Sequence, residues 1–424
     1  MRKIFERLIK IIRVDTKNLF SKGAIHLLAS MILVKALGFP VQVFLARVLG
    51  PEYMGHIAVI NAVMTFGELF AVMGISGAVL KFVSEPVDEE HKRELLFHGL
   101  FIVCFTAVVI AIVVFFIGFF NLIENDVANS YLKILCWTIP FSALSIVMTF
   151  NFQALKQITK KAKIDLNIKI ISASFFIGGA YFWAFEGYII ARVFITVLTA
   201  LTVLFIGRRY ISFFKIDLSI VKKIVKFGLW GVFAMVTLIV VTTADIICLT
   251  TILQDAKIVG YYSIAALLIQ LIRMLPKSIM DTAFPYLSEI GEDYSALKAA
   301  YWKIFKRMIL MMSFVILIAY LFGGLGIKIV FGTNYIHSIA PFNLLLVGLL
   351  FSSAGSPAGR TLLALGKINV NFYISFITGG LNILLNIIFI TKMGMMGAAV
   401  ATVITHFVWL TMNQICIYHF LLKK

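Results

Sequence analysis

Lys35, Glu68 and Arg273 each stand inside a long apolar run. An ion there costs at least about 2.5–3.5 kcal/mol on insertion scales, so it normally faces a partner or a wet cavity. Lys81, Lys169, Arg192, Lys277, Lys328 and Arg360 lie within a turn or two of a span end, from where a long side chain can snorkel to the interface. Asn61, Thr65 and Glu68 recur at helical spacing, and Gln270, Arg273, Lys277 and Asp281 form a second stripe of the same kind, so each set shares one helix face. Counted together, Lys35, Arg273, Lys277 and Arg360 outnumber Glu68 and Asp281. That excess favours an anion entering from the cytoplasmic side, and a phosphate or pyrophosphate suits cations in a low-dielectric cavity. Glu68 either pairs with Lys35 or acts as a protonatable gate. Phe39-Pro40 and Leu275-Pro276 would loosen the helices beside Lys35 and Arg273, as hinges or as ordinary kinks.

A second constellation is made of oxygens. Asp245, Asn386 and Thr402 lie at similar depths from the outer ends of their spans, and Asn382 is one turn from Asn386. Such a set could hold a hard monovalent cation. It could equally be a group of hydrogen bonds joining helices.

The elements that must position these groups are membrane helices. The chain of 424 residues is 61% hydrophobic and 14% charged, which departs from soluble globular composition and indicates a polytopic membrane protein. Twelve stretches reach the roughly 20 apolar residues that a span needs: 24–46, 55–82, 96–120, 131–155, 164–184, 187–207, 224–251, 258–282, 304–331, 339–365, 370–391 and 396–421. Alternate connections, with both termini, hold 26 Lys and Arg, whereas the other connections hold only Arg47, Lys133, Lys257 and Lys392. By the positive-inside rule both termini are expected in the cytoplasm of a multi-pass plasma-membrane protein. The net charge of +18 therefore marks topology, and no nucleic-acid partner is expected. The opening "RKIFERLIKIIR" puts apolar residues on one face and bases on the others. Residues 1–23 thus suit an interfacial helix on anionic lipid, or a simple topology anchor. Cys104, Cys136, Cys248 and Cys416 lie in apolar segments without C-x-x-C spacing, which argues for packing rather than metal binding.

The chain also parallels itself. Gly55–Glu85 resembles Gly260–Glu289, "ALKQITKKAKI" resembles "ALGKINVNFYI", and "EGYIIARV" resembles "MGAAVATV", in one order and at nearly one offset. The expected fold is all-α and integral to the membrane: twelve transmembrane helices in two pseudo-symmetric six-helix lobes around a central cavity. The N-lobe would span 24–207 and the C-lobe 224–424, with a cytoplasmic linker at 208–223. Such halves are the common plan of rocking transporters. The chain carries no Walker loop, dinucleotide fingerprint or nucleophile motif, so no catalysis and no cofactor are expected.

"LARVLGPEYMGHIAVINAV", "VGYYSIAALLIQLIRMLP" followed by "AFPYLSE", "FGTNYIHSIAPFNLLLVGLLF" with "LLALGK", and "LNILLNIIFITKMGMMGAAVAT" resemble the polysaccharide-transporter flippases. Their superfamily also holds the multidrug and toxin extrusion proteins and the lipid II flippases. The resemblance implies a flippase that carries a polyprenyl-pyrophosphate-linked oligosaccharide from the cytoplasmic to the outer leaflet by alternating access. Its substrate contacts would be Lys35, Asn61, Thr65, Glu68, Gln270, Arg273, Lys277 and Arg360. The alternative in the same superfamily is an ion-coupled exporter of organic cations. In the lipid II group a sodium site falls, by resemblance, on Asp245, Asn382, Asn386, the carbonyl of Ala398 and Thr402. Asn at 386 in place of Asp removes one charge from that set, and the coupling ion expected is Na+ or H+. Membrane lipids, and glycosyltransferases or a polymerase of the same pathway, are the partners expected of a monomer.

Overall fold

The computed structural model describes residues 22–291 and 293–422. The interfacial helix expected at 1–23 therefore lies outside the described residues except for its last two positions, and so does the side chain of Lys35. From the start of the described chain run α1 (Lys22–Val72), α2 (Ile75–Ser84), α3 (Glu89–Phe119), α4 (Asp126–Leu135) and α5 (Ile139–Ala154). They are followed by α6 (Ile158–Gly207), α7 (Leu218–Leu253), α8 (Ala256–Ile272) and α9 (Met274–Ile290). The last four are α10 (Tyr294–Val330), α11 (Ile339–Ala364), α12 (Ile368–Met393) and α13 (Met395–Ile417).

All twelve apolar stretches fall on these helices. Nine helices among the described residues are long and apolar enough to cross a membrane. Two of the longest are interrupted: α1 has non-helical backbone at Gly50, and α6 at Trp183 and Ala184. In α6 the interruption reverses the chain, because a Cβ added at Gly179 would lie 2.4 Å from the carbonyl oxygen of Gly187. The tip of that hairpin exposes Tyr181, Phe182 and Trp183, aromatic residues of the kind that settle at a membrane interface. Helices prevail because the bilayer core offers no water to satisfy backbone N–H and C=O groups. Large apolar side chains such as Phe105, Leu310 and Phe322 remain exposed, as a lipid-facing surface requires.

The chain forms two compact units. The first comprises residues up to Val48 with Phe70–Ala111 and Trp137–Gly231. Within it, the break after Val72 is seated on α7: a Cβ at Gly228 would lie 2.5 Å from the Met73 carbonyl oxygen. The irregular residues 211–217 are tied to α3, where the Asp217 N–H donates to Nε2 of His98 at 2.9 Å. Asp217 is held below the usual carboxylate range chiefly by hydrogen bonding with Ser219. At the start of α10, Asp293 is likewise held down, chiefly by the Ala296 N–H.

The second unit comprises Leu49–Leu69, Ile112–Cys136 and Val232–Lys424. It thus takes in two segments, 49–69 and 112–136, that the sequence places in the N-lobe. The reason for the first is visible in its backbone packing. A Cβ at Gly55 would stand 1.7 Å from the Ala256 carbonyl oxygen, and one at Gly260 would stand 1.8 Å from that of Pro51. The contact is reciprocal, with each residue 205 positions from its counterpart, so a local two-fold relates the glycines that open the two paralleled segments. Asn125 caps α4 by accepting from Ala128 N–H at 2.9 Å and accepts from His56 Nδ1 at 2.9 Å, which fixes the second segment to the first.

Because only glycine permits this crossing, Gly260→Val should force the helices apart and cost about 1–3 kcal/mol. Thermal unfolding of the purified variant in detergent, beside the wild type, measures the loss; an unchanged midpoint would contradict the crossing.

Candidate functional site

Two polar groupings lie within the second unit. The larger surrounds a cavity of about 460 Å³, in the size range of small-molecule sites. The end of α8 and the start of α9 bring Arg273, Lys277 and Pro276 to it. Arg273 sits where the two helices part. Pro276 supplies no N–H for the Ile272 carbonyl, and the chain passes through a turn at Arg273 before resuming as α9. The backbone at Arg273 nevertheless stays helical, with its N–H on the Ile269 carbonyl at 2.9 Å, and Phe39-Pro40 lies within α1 without a break.

α11 contributes Ser352, Ser353, Ser356 and Arg360, α12 contributes Asn371, Ser375 and Thr378, and α13 contributes Thr405, His406 and Trp409. Three cations thus face one cavity. The carboxylate beside them is already engaged, since Asp281 forms an ion pair with Arg360. The Arg360 guanidinium also lies over the Phe284 ring, 5.6 Å from its centroid. The Nε of Arg273 is buried and has no hydrogen-bond partner among the described residues. An anion entering the cavity would supply one.

The second grouping is centred on Asp245, which is buried on α7. Its Oδ1 accepts from Asn386 Nδ2 at 2.7 Å, and its Oδ2 accepts from Thr402 Oγ1 at 2.7 Å and from the Tyr262 hydroxyl. Asn386 also donates to Asn382 Oδ1 at 3.1 Å, and Asn382 Nδ2 donates to Thr405 Oγ1 at 3.4 Å. Thr405 lines the cavity, so the acid cluster and the cation cavity share a wall. Arg273 also acts on Asp245 electrostatically. The donor set around Asp245 is neutral, and Asn386 Oδ1 is a buried acceptor without a partner among the described residues. A hard cation there would have oxygens from Asp245, Asn382, Asn386 and Thr402 within reach of one another, at the expense of hydrogen bonds that now occupy the carboxylate. Ala398 is buried one turn before Thr402 on α13.

The structure thus gathers Arg273, Lys277 and Arg360 around one cavity, and Asp245, Asn382, Asn386 and Thr402 around another point. It does not bring every candidate to them. Gln270 is exposed and does not line the cavity, and neither do Asn61, Thr65 and Glu68. The Thr65 hydroxyl is turned onto its own helix, donating to the Asn61 carbonyl at 2.7 Å. Sequence reasoning missed Tyr262, the serines of α11, and His406 with Trp409. It missed Asn371, Ser375 and Thr378 of α12 as well, although they have the same i, i+4, i+7 spacing as Asn61, Thr65 and Glu68.

A profile described as "Polysaccharide biosynthesis protein" matches residues 44–340. The chain belongs to that family. A protein of Shigella flexneri provisionally named an O-antigen transporter is 26% identical over 411 residues, covering 92% of this chain and 94% of its own. The capsular polysaccharide biosynthesis protein CapF of Staphylococcus aureus is 27% identical over 153 residues, or 35% of this chain and 38% of its own. In fold, the family member is similar to the lipid II flippase MurJ in an inward closed conformation, with a TM-score of 0.79 at 18% identity over 93% of this chain and 87% of that one. It is also similar to an inward-facing multidrug resistance transporter of the MATE family, with a TM-score of 0.71 at 13% identity, covering 95% of this chain and 100% of that one. The membrane-transporter fold expected from the sequence is therefore present, with nine spans meeting length and composition among the described residues.

Removing the Tyr262 hydroxyl would leave Asp245 short of one buried donor, a loss of roughly 1–3 kcal/mol. Tyr262→Phe should accordingly lower the thermal midpoint in detergent, and a midpoint equal to wild type would show that the bond contributes nothing.

Proposed function

We propose that this family member is a flippase that moves a polyprenyl-pyrophosphate-linked oligosaccharide from the cytoplasmic to the outer leaflet by alternating access. The observation that carries the reading is the set of three cations on one cavity, whose neighbouring carboxylate is spent on Arg360. Family membership and the near full-length relative named for O-antigen transport support it. Arg273, with an unpartnered buried Nε, would grip the pyrophosphate by charge-assisted hydrogen bonds, which strengthen away from water. Lys277 is exposed on the next turn and would attract the anion on entry. In this reading the prenyl chain stays in lipid, and Lys35, Asn61, Thr65, Glu68 and Gln270 are further contacts of the substrate. An organic cation would meet repulsion from Arg273 and Lys277, which disfavours drug export.

Asp245 with Asn382, Asn386, Ala398 and Thr402 is the natural place for a coupling ion, Na+ or H+. The distribution of lysine and arginine supports cytoplasmic termini, and in this reading the membrane is the plasma membrane. It would act as a monomer beside glycosyltransferases or a polymerase of the same pathway.

The test is flipping of a fluorescent polyprenyl-pyrophosphate oligosaccharide in proteoliposomes, with organic-cation efflux assayed in parallel. Arg273→Ala should reduce the initial flipping rate by roughly 10–100-fold, the loss of one or two hydrogen bonds to a charged group. Cation efflux without flipping, or flipping indifferent to Arg273, would refute the reading.

A further inference from the structure

The cavity holds more than cations. Trp409 lies across α11 where that helix has no side chains: a Cβ at Gly355 would fall 2.4 Å from its Cζ3, and one at Gly359 would fall 3.9 Å from its Cζ2. The indole thus fills the volume that a side chain at position 355 would take and lies in contact with Gly359, and Trp409 also lines the cavity. Around it stand polar groups with capacity to spare. Ser353 is 1% exposed and His406 7% exposed; both line the cavity, and Ser353 Oγ and His406 Nδ1 have no hydrogen-bond partner among the described residues. Buried polar atoms are seldom left so. Ser352 and Ser356 donate to Leu349 and Ser352 carbonyls of their own helix, at 3.1 and 2.8 Å, which leaves their hydroxyl oxygens able to accept.

We infer that the cavity contains a sugar subsite, in which Trp409 is the plate for the face of the pyranose attached to the pyrophosphate, and Ser353 and His406 bond its hydroxyls. The inference rests on the flippase reading and specifies which part of that substrate this cavity takes. A plate of π-electrons suits the electropositive C–H face of a sugar ring. A ring of hydroxyl, amide and imidazole groups suits its edge, and Arg273 stands at the same cavity for the anion. A prenyl tail would leave Ser353 and His406 unsatisfied, and an organic cation would be repelled by the bases.

Two short-chain polyprenyl pyrophosphates decide the matter, one carrying a single hexose and one bare, with affinity measured for the detergent-purified protein. Wild type should bind the hexose form more tightly. Trp409→Ala should weaken the hexose form roughly tenfold, about the effect of losing one stacking contact, and leave the bare form within about twofold. Trp409→Phe, which keeps a ring, should retain most of the preference, whereas Arg273→Ala should weaken both lipids and preserve their ratio. Equal loss of both lipids in Trp409→Ala, no loss of either, or a wild type without preference would overturn the subsite alone. A wild type that binds neither lipid would remove the flippase reading and the subsite with it.

Discussion

An ion or an unpaired backbone group surrounded by apolar matter is unstable unless the chain itself supplies its partners, and this constraint organises the second unit. Asp245 is buried on α7, and its two carboxylate oxygens accept from Asn386, Thr402 and Tyr262. Those residues sit on α12, α13 and α8, so satisfying one carboxylate fixes the rotation and depth of four helices. The nearby charge of Arg273 offsets that of Asp245. Arg273 is itself only partly satisfied, with its Nε unpartnered. The acid is thus saturated by protein, while the base opposite it retains capacity for something that is not protein.

Helix breaks and glycines decide where those groups can stand. Pro276 leaves the Ile272 carbonyl without its helical donor, while Arg273 keeps helical backbone angles beside it and lines the cavity. Reciprocal contact between Gly55 and Gly260 brings two backbones closer than any side chain would allow. Small residues serve this role in membranes because lipid competes poorly with dense backbone packing. On α11 the absence of a side chain at Gly355 makes room for the Trp409 indole.

The acid cluster and the cavity are joined by short polar steps. Asn386 donates to Asn382, Asn382 to Thr405, and Thr405 borders the cavity beside His406. Lys277 and Arg360, nearer solvent and in part paired with Asp281, are more strongly screened.

Much of this was legible in the sequence. Composition and run length gave apolar stretches that fall on helices among the described residues, because a bilayer accepts little else, and the self-comparison pairs the segments that Gly55 and Gly260 open. Depth counting grouped Asp245 with Asn382, Asn386 and Thr402, because rise per residue converts position into height directly. Helical spacing assigns faces but not neighbours, so it did not single out Tyr262, Ser353, His406 and Trp409, nor could it say that Asn61, Thr65 and Gln270 stand apart from the lining of the second-unit cavity. The sequence by itself determined the solvent, the helices, their faces and the sign of the cavity. Which faces meet was decided only in the tertiary structure, because that depends on helix rotation and on backbone approach at particular glycines, neither of which the periodicity of one helix encodes.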